Sequence, residues 1–481
     1  MKHLLSLWLL FIAVSCSAQG ITYSSYEKFD LRSGDYSVVG KVGGRLYTYR
    51  ATSDGYFLDA WNDSMERTAT IILDFFPAKI YETRFVAYPD KIIALYQVSE
   101  RGKVTQYAAL LDAAGRLQGE IMQLDEAKTG IFGASGNYFL SAVSENKDFI
   151  AVYSASGKGS SMHISLTLLD GNLKVVRRST GDYSGENNLT AWPALIDNNG
   201  QFYLPVTTNT GSRDYADGIW LITMPGNIPV ATELPLAGSF GSGLYFKMDN
   251  QARRIYAGGF YSLKKSGNYD GVLFAQFNPD SASAASLRRI PLDDRLREAT
   301  GERSKRRAFN DYKTRQLIIR NDGGFVLAAE DYFMSVRSGA GVGSYGYYTS
   351  YYSPFIGSQN IREYHYGDIL TISYSADGTR EWSSFIRKDQ YSQEDAGVFS
   401  SYAFINTGGA LGFLYNNYDS RRSRITLAVV DAEGKIDTHA LDAGGPQDPD
   451  WLPRAGRQVS AHELIVPCLR RKQICFAKVV F

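Results

Sequence analysis

A tight polar turn followed by a short apolar strand recurs eight times along this sequence. The copies read VGGRLYTYRA, YPDKIIALYQV, ENKDFIAVYSA, NNGQFYLPVTT, NQARRIYAGGFY, NDGGFVLAAEDY, NTGGALGFLYNN and SAHELIVPCLRR. The Asn, Asp and Gly residues supply the positive φ that such turns need, and the β-branched and aromatic runs supply strands. A second signature follows most copies: an apolar strand, a short turn and another strand. It reads AALLDAAGRLQGEIMQL, SLTLLDGNLKVVRRS, WLITMPGNIPVATELPL, LTISYSADGTREWSSFI and LAVVDAEGKIDTHAL, with FLDAWNDSMERTATIIL a divergent first copy and LFAQFNPDSASAASLRRIPL carrying a longer turn.

The turn residues set the period. Asp112 and Asp170 are 58 residues apart, and Asp377 and Asp431 are 54 apart. Four antiparallel strands per unit at this spacing predict an all-β fold, a β-propeller of four-stranded blades. The strands are called A to D, with the recurrent turn between A and B. The last copy lacks a strand D, because QICFAKVVF matches the strand C RITLAVVD and the sequence then stops at Phe481. The surplus segment ITYSSYEKFDL near the N-terminus is expected to supply it and remove an exposed sheet edge. The expectation is therefore an eight-bladed propeller closed by its N-terminal strand. Seven blades with a separate N-terminal module is the alternative.

This strand order puts the A–B and C–D turns on one face and the B–C and D–A connections on the other. The first set is short and stereotyped and the second longer and variable, which makes the D–A/B–C face the expected binding face. Blade six carries two insertions there. The D–A connection 293–312 holds Arg295, Arg297, Arg303, Lys305, Arg306 and Arg307 against Glu298 and Glu302, and its spacing suits a short exposed helix. The B–C connection 335–366 holds Tyr345, Tyr347, Tyr348, Tyr351 and Tyr352 among Gly, Ser and Thr. Tyrosine is a rigid contact residue favoured at protein interfaces. These five residues, with Arg303, Arg306 and Arg307, are the candidate partner-binding set. A solvated helix and a twisted hairpin packed on the blade are the structural alternatives.

Lys+Arg 51 against Asp+Glu 50 gives a net charge of +1, so no global field recruits nucleic acid. The N-terminus reads as an export signal: Lys2 and His3 precede the apolar stretch 4–14, shorter than the ~20 residues a membrane span needs. Cleavage after Ala18 gives a signal peptide 1–18, leaving 19–481 as one domain. Alternatively Ala13-Val14-Ser15-Cys16 acts as a lipobox, the leader is 1–15, and Cys16 carries a lipid anchor. Cys468 and Cys475 fall in one hairpin and are disulfide candidates in an oxidising compartment; two half-buried strand cysteines is the competing reading.

Motifs that would carry chemistry are missing. Beyond the leader the histidines are His163, His365, His439 and His462, none in a zinc-binding pattern. There is no nucleophile elbow and no P-loop. SADGTREW at 375–382 falls short of the S-x-D-x-G-x-x-W box of sialidase propellers. Asp217, Asp270 and Asp368 each precede a strand C and read as turn-capping groups. No catalytic residue, metal or cofactor is expected, although carboxylates from distant blades could still assemble a glycosidase pair.

RIYAGGFYS…GVLFAQF, LIIRNDGGFVLAAEDYF, YHYGDILTISYSADGTREW and AGVFSSYAF, within 254–417, resemble a group of exported, largely uncharacterised propeller proteins from Bacteroidota. The resemblance implies a Gram-negative envelope setting and assigns no site residue. The expected function is a non-enzymatic platform that docks an envelope protein. A glycan-binding or glycoside-active protein using the central channel mouth is the alternative.

Overall fold

The computed structural model describes residues 20–128, 138–185, 188–209, 215–265, 267–279, 285–302, 304–338, 360–419, 422–441 and 448–481. They form eight antiparallel sheets, each of four strands in A–B–C–D order, as an eight-bladed β-propeller. Blade one is Asp35–Val42, Arg45–Thr52, Gly55–Trp61 and Arg67–Ile72. Blade six, the largest, is Tyr312–Ile319, Phe325–Ser338, Asn360–Tyr374 and Arg380–Ile386.

The seven-blade alternative fails at the last sheet. Its strand A is interrupted, running as Asp450–Trp451 and Arg457–Ser460, and strands B and C are Glu463–Arg470 and Gln473–Val480. The fourth position is filled from the other end of the chain. Ile21–Tyr23 and Glu27–Lys28 both pair with Gln473–Val480, in register Ile21↔Val479 and Glu27↔Ile474. Ser24 fastens the seam from both sides: its N–H donates to the Phe476 carbonyl at 2.9 Å, and its Oγ accepts from the Phe476 N–H at 2.9 Å. An edge that would otherwise offer unpaired backbone groups is covered.

The core is divided into wedges. Each sheet buries apolar residues on both faces, so successive residues of a strand serve different neighbours. In strand B of blade six, Phe325, Leu327 and Ala329 pack toward blade five, while Val326 and Ala328 pack toward blade seven. Eight such clusters occupy the eight blade interfaces. The last joins Val38, Leu46 and Trp61 of blade one to Leu452, Ile465 and Phe476 of blade eight and closes the ring.

The aspartate that recurs at the end of strand C explains its own recurrence. Asp112 Oδ1 accepts from the N–H groups of Ala114 and Arg116 at 2.8 and 2.9 Å. Asp170 repeats this with Asn172 and Lys174 at 2.8 and 2.9 Å, and Asp431 with Glu433 and Lys435 at 3.1 and 2.8 Å. One carboxylate thus satisfies two backbone donors that the tight turn leaves unpaired. The third position after it needs a positive φ, filled by Gly115 at 78° and Gly434 at 81°, and by Leu173 at 64° in the third blade. Gly434 also lies against Trp382 of blade six, whose indole Nε1 donates to the Ala432 carbonyl at 2.8 Å. The SADGTREW stretch therefore serves packing between blades.

Candidate functional site

The sequence-predicted binding residues divide in two. Tyr345, Tyr347, Tyr348, Tyr351, Tyr352, Arg303 and Cys16 lie outside the described residues. Arg306 and Arg307 fall in a 3-10 turn, Lys305–Arg307, and are exposed. The helix before it, Asp294–Ala299, is one and a half turns long and is capped by Asp293 Oδ1, which accepts from Leu296 N–H at 2.8 Å. Part of the basic segment is structural: Arg297 donates to the Tyr269 carbonyl at 2.7 Å, and Lys305 pairs with Glu298. The solvated-helix reading accounts for these two residues, and Arg306 and Arg307 stay open to solvent. Asp217, Asp270 and Asp368 are likewise spent locally, on Thr208 Oγ1, the Leu263 N–H and the Lys388 N–H.

The strands flanking the tyrosine-rich insertion go further than the sequence suggested. Phe325–Ser338 and Asn360–Tyr374 stay paired from Tyr332↔Tyr366 out to Ser338↔Asn360, seven pairs beyond the body of the blade. A short strand, Gln390–Gln393, adds to the outer side in register with 363–366. These segments form a three-stranded stem. Along one side of it runs an aromatic row: Phe333 stacks on His365 at 4.2 Å between ring centres, and His365 meets Tyr391 at 4.9 Å. Phe333, Met334, Val336 and Tyr391 are 42, 51, 56 and 48% exposed.

At the root of the stem lies a fully buried ion pair. Lys388 Nζ is 2.9 Å from Glu330 Oε1, and neither side chain is reached by solvent. Lys388 also donates to the Tyr366 carbonyl at 3.2 Å and to Gln390 Oε1 at 3.1 Å, while Glu330 Oε2 accepts from Ser401 Oγ at 2.7 Å and Arg315 Nε at 3.2 Å. Burial pushes the Lys388 ammonium below its ordinary pKa, and Glu330 opposes that shift. The network continues through Gln390 Nε2 to the Asn416 carbonyl at 2.7 Å, and from Asn416 Nδ2 to the Phe399 and Trp451 carbonyls at 2.8 and 2.9 Å. It ties blades six, seven and eight together beneath the stem.

Beside this network is a cleft of about 510 Å³ lined by Arg315, Tyr332, Tyr366, Ser401, Tyr402 and Arg454, among others. The Arg315 guanidinium lies over the Tyr332 ring at 5.4 Å, and Arg454 donates to the Tyr366 hydroxyl at 2.9 Å. The Tyr402 hydroxyl is buried without a hydrogen-bond partner, and burial with Glu330 nearby raises its pKa. Asp331, next to Glu330, is a strongly perturbed carboxyl on this face. Burial first, then Asp311 and Asp368, push it up to about 6. Among the described residues no group of three or more His, Cys, Asp or Glu side chains is placed to hold a metal ion. Arg315, Arg454 and Lys388 lie far apart in the sequence. The signal that the sequence did carry is Glu330, a charged residue in the otherwise apolar run FVLAAE of strand B.

No family model matches the chain, and no curated protein matches it. Solved structures do. The WD40 domain of SCAP from fission yeast is 8% identical over 96% of this chain and 98% of that one, with a TM-score of 0.44. Sqt1 of Saccharomyces cerevisiae is 9% identical over 95% and 99%, TM-score 0.44. Prolyl oligopeptidase B from Galerina marginata is 11% identical over 93% of this chain but only 55% of its own, TM-score 0.41. At that distance the activities of these proteins do not transfer.

Proposed function

We propose that this chain is a non-enzymatic binding platform, exported to the envelope of a Gram-negative cell, that docks a protein partner on its D–A/B–C face. The supporting observation is the projecting stem of blade six. One side of it carries the Phe333–His365–Tyr391 row, with Phe333 and Tyr391 open to solvent, and the other side exposes Met334 and Val336, on an arm that the propeller does not need for closure. Apolar side chains exposed singly are ordinary, whereas a contiguous set on a projecting arm marks a contact surface. The rigid ring beneath, held by the Glu330–Lys388 network, fixes where the arm stands. Export through the leader, with or without a lipid on Cys16, is part of the same proposal.

Replacing Phe333 and Tyr391 of the stem with serine and repeating cross-linking in native membranes tests it. Loss of specific cross-linked partners from a protein that remains folded supports the platform, and an unchanged partner set removes its main support.

A second reading has its own observation. The cleft of Arg315, Tyr332, Tyr366 and Arg454 combines ring faces with guanidinium donors, a chemistry that suits an acidic glycan at the channel mouth. Binding on a glycan panel that is lost in Tyr332→Ala and Arg454→Ala would favour it over the platform.

A further inference from the structure

The opposite half of the channel, toward the A–B turns, holds a second cluster. A cavity of about 320 Å³ lies where blades one, two, three and eight meet, lined by Ser37, Arg84, Ser144, Glu145, Lys147 and Arg457, among others. Arg84 comes from strand A of blade two, Lys147 from the A–B turn of blade three, and Arg457 from strand A of blade eight. Blade eight touches neither of the other two in the ring order, so these side chains reach one another only across the channel.

Each cation is fixed by the backbone of a neighbouring blade. Arg84 donates to the Ser141 carbonyl and, at 2.9 Å, to Ser141 Oγ. Lys147 donates to the Ala87 carbonyl at 2.7 Å, and Arg457 to the Val38 carbonyl at 3.0 Å. Those bonds occupy one nitrogen of each guanidinium and one ammonium proton, which leaves the remaining donors uncommitted. Among the described residues none of the three makes an ion pair with a carboxylate. Glu145, the acid in the lining, accepts from Asn250 Nδ2 at 2.9 Å and acts on Lys247.

All three are open to solvent although protein surrounds them, as expected inside a water-filled channel. Burial lowers the pKa of Lys147, with Arg457 adding to the effect, and burial lowers that of Arg457, with Arg84 adding. Like charges gathered in a concave site with low-dielectric walls concentrate the positive potential, and an anion relieves their repulsion. Guanidinium forks match the paired oxygens of phosphate, sulfate and carboxylate.

We infer that this cavity binds a small oxyanion-bearing ligand through Arg84, Lys147 and Arg457, from the face opposite the blade-six arm. The site stands independently of the docking surface proposed above.

Calorimetric titration of the full chain with inorganic phosphate, sulfate and citrate at matched ionic strength tests it. Saturable one-to-one binding of at least one probe is expected, and the tightest of the three identifies the anion class. Arg84→Gln and Arg457→Gln should each weaken it at least tenfold, and Arg306→Gln on the other face should leave it unchanged. Without ligand, Arg84→Gln and Arg457→Gln should melt no lower than the parent, because repulsion is relieved; a purely structural role predicts a lower melting temperature. Arg84→Lys, which keeps the charge, should retain most of the affinity and covers the case in which the Gln variant fails to fold. Absence of saturable binding for all three probes, or binding unaltered by the Arg84 and Arg457 variants, would overturn the assignment.

Discussion

Glu330 and Lys388 meet at 2.9 Å on blade six with both side chains wholly shielded from water. Removing one partner from such a pair leaves a buried charge without compensation, a cost of about 3–5 kcal/mol. Glu330→Leu leaves the Lys388 ammonium buried with no carboxylate in contact and is therefore expected to lower stability by that order in chemical denaturation. Lys388→Met should cost less, because Arg315 still meets Glu330 at 3.2 Å. The double variant Glu330→Leu with Lys388→Met should recover a large part of the loss. A single variant as stable as the parent would show that the pair does not anchor the root of the stem.

The N-terminal strand should be indispensable to the ring. Besides its ladder with Gln473–Val480, Glu27 pairs with Arg67 and lies 3.8 Å from Arg50, so the closure also binds blade one. Deleting 20–28 strips the edge of Gln473–Val480 and is expected to give an unstable, self-associating protein. Size exclusion with light scattering checks this; a stable monomer would contradict it.

Asp331 makes the pH dependence specific. Its native pKa of about 6 lies above the ordinary value of 3.8, so the folded state holds the proton more tightly than the unfolded chain. Below the ordinary value the group contributes no difference. Stability should fall as pH rises from about 4 to 6 and level off above, because ionised Asp331 is disfavoured in place. Asp331→Asn should match the parent near pH 4 and exceed it at pH 7 by on the order of 1–2 kcal/mol. Urea midpoints at the two pH values measure the difference.

Cys468 and Cys475 sit directly opposite one another in blade eight as free, fully buried thiols, and burial raises Cys468 well above an ordinary thiol. The native protein should react with maleimide slowly and label fully at both positions once denatured. Failure to label after denaturation without reductant would reveal a disulfide between them.

Much of this architecture was legible because the blade is a repeat with local causes. The capping aspartates Asp112, Asp170 and Asp431 and the positive φ of Gly115 and Gly434 are properties of a few adjacent residues, and they recur at a readable spacing. Even the ring closure showed, as one missing strand D and one unassigned strand. The sites were less legible. Arg84, Lys147 and Arg457 are separated by up to 373 positions and converge only because eight blades wrap one axis. The Glu330–Lys388 pair lies within one blade, 58 positions apart, and only the folded sheet brings strand B against the segment after strand D. The tyrosine cluster drew attention by composition, whereas the aromatic row of Phe333, His365 and Tyr391 is spread over three strands.

The most direct test of the platform is a photo-cross-linking residue placed at Tyr391, on the aromatic row, compared with one at Ile72, an exposed position on strand D of blade one. In cells that express the protein at its native level, a discrete adduct with an envelope protein is expected from Tyr391 and none from Ile72. No adduct from Tyr391, or the same adduct from both positions, would contradict docking on the blade-six arm.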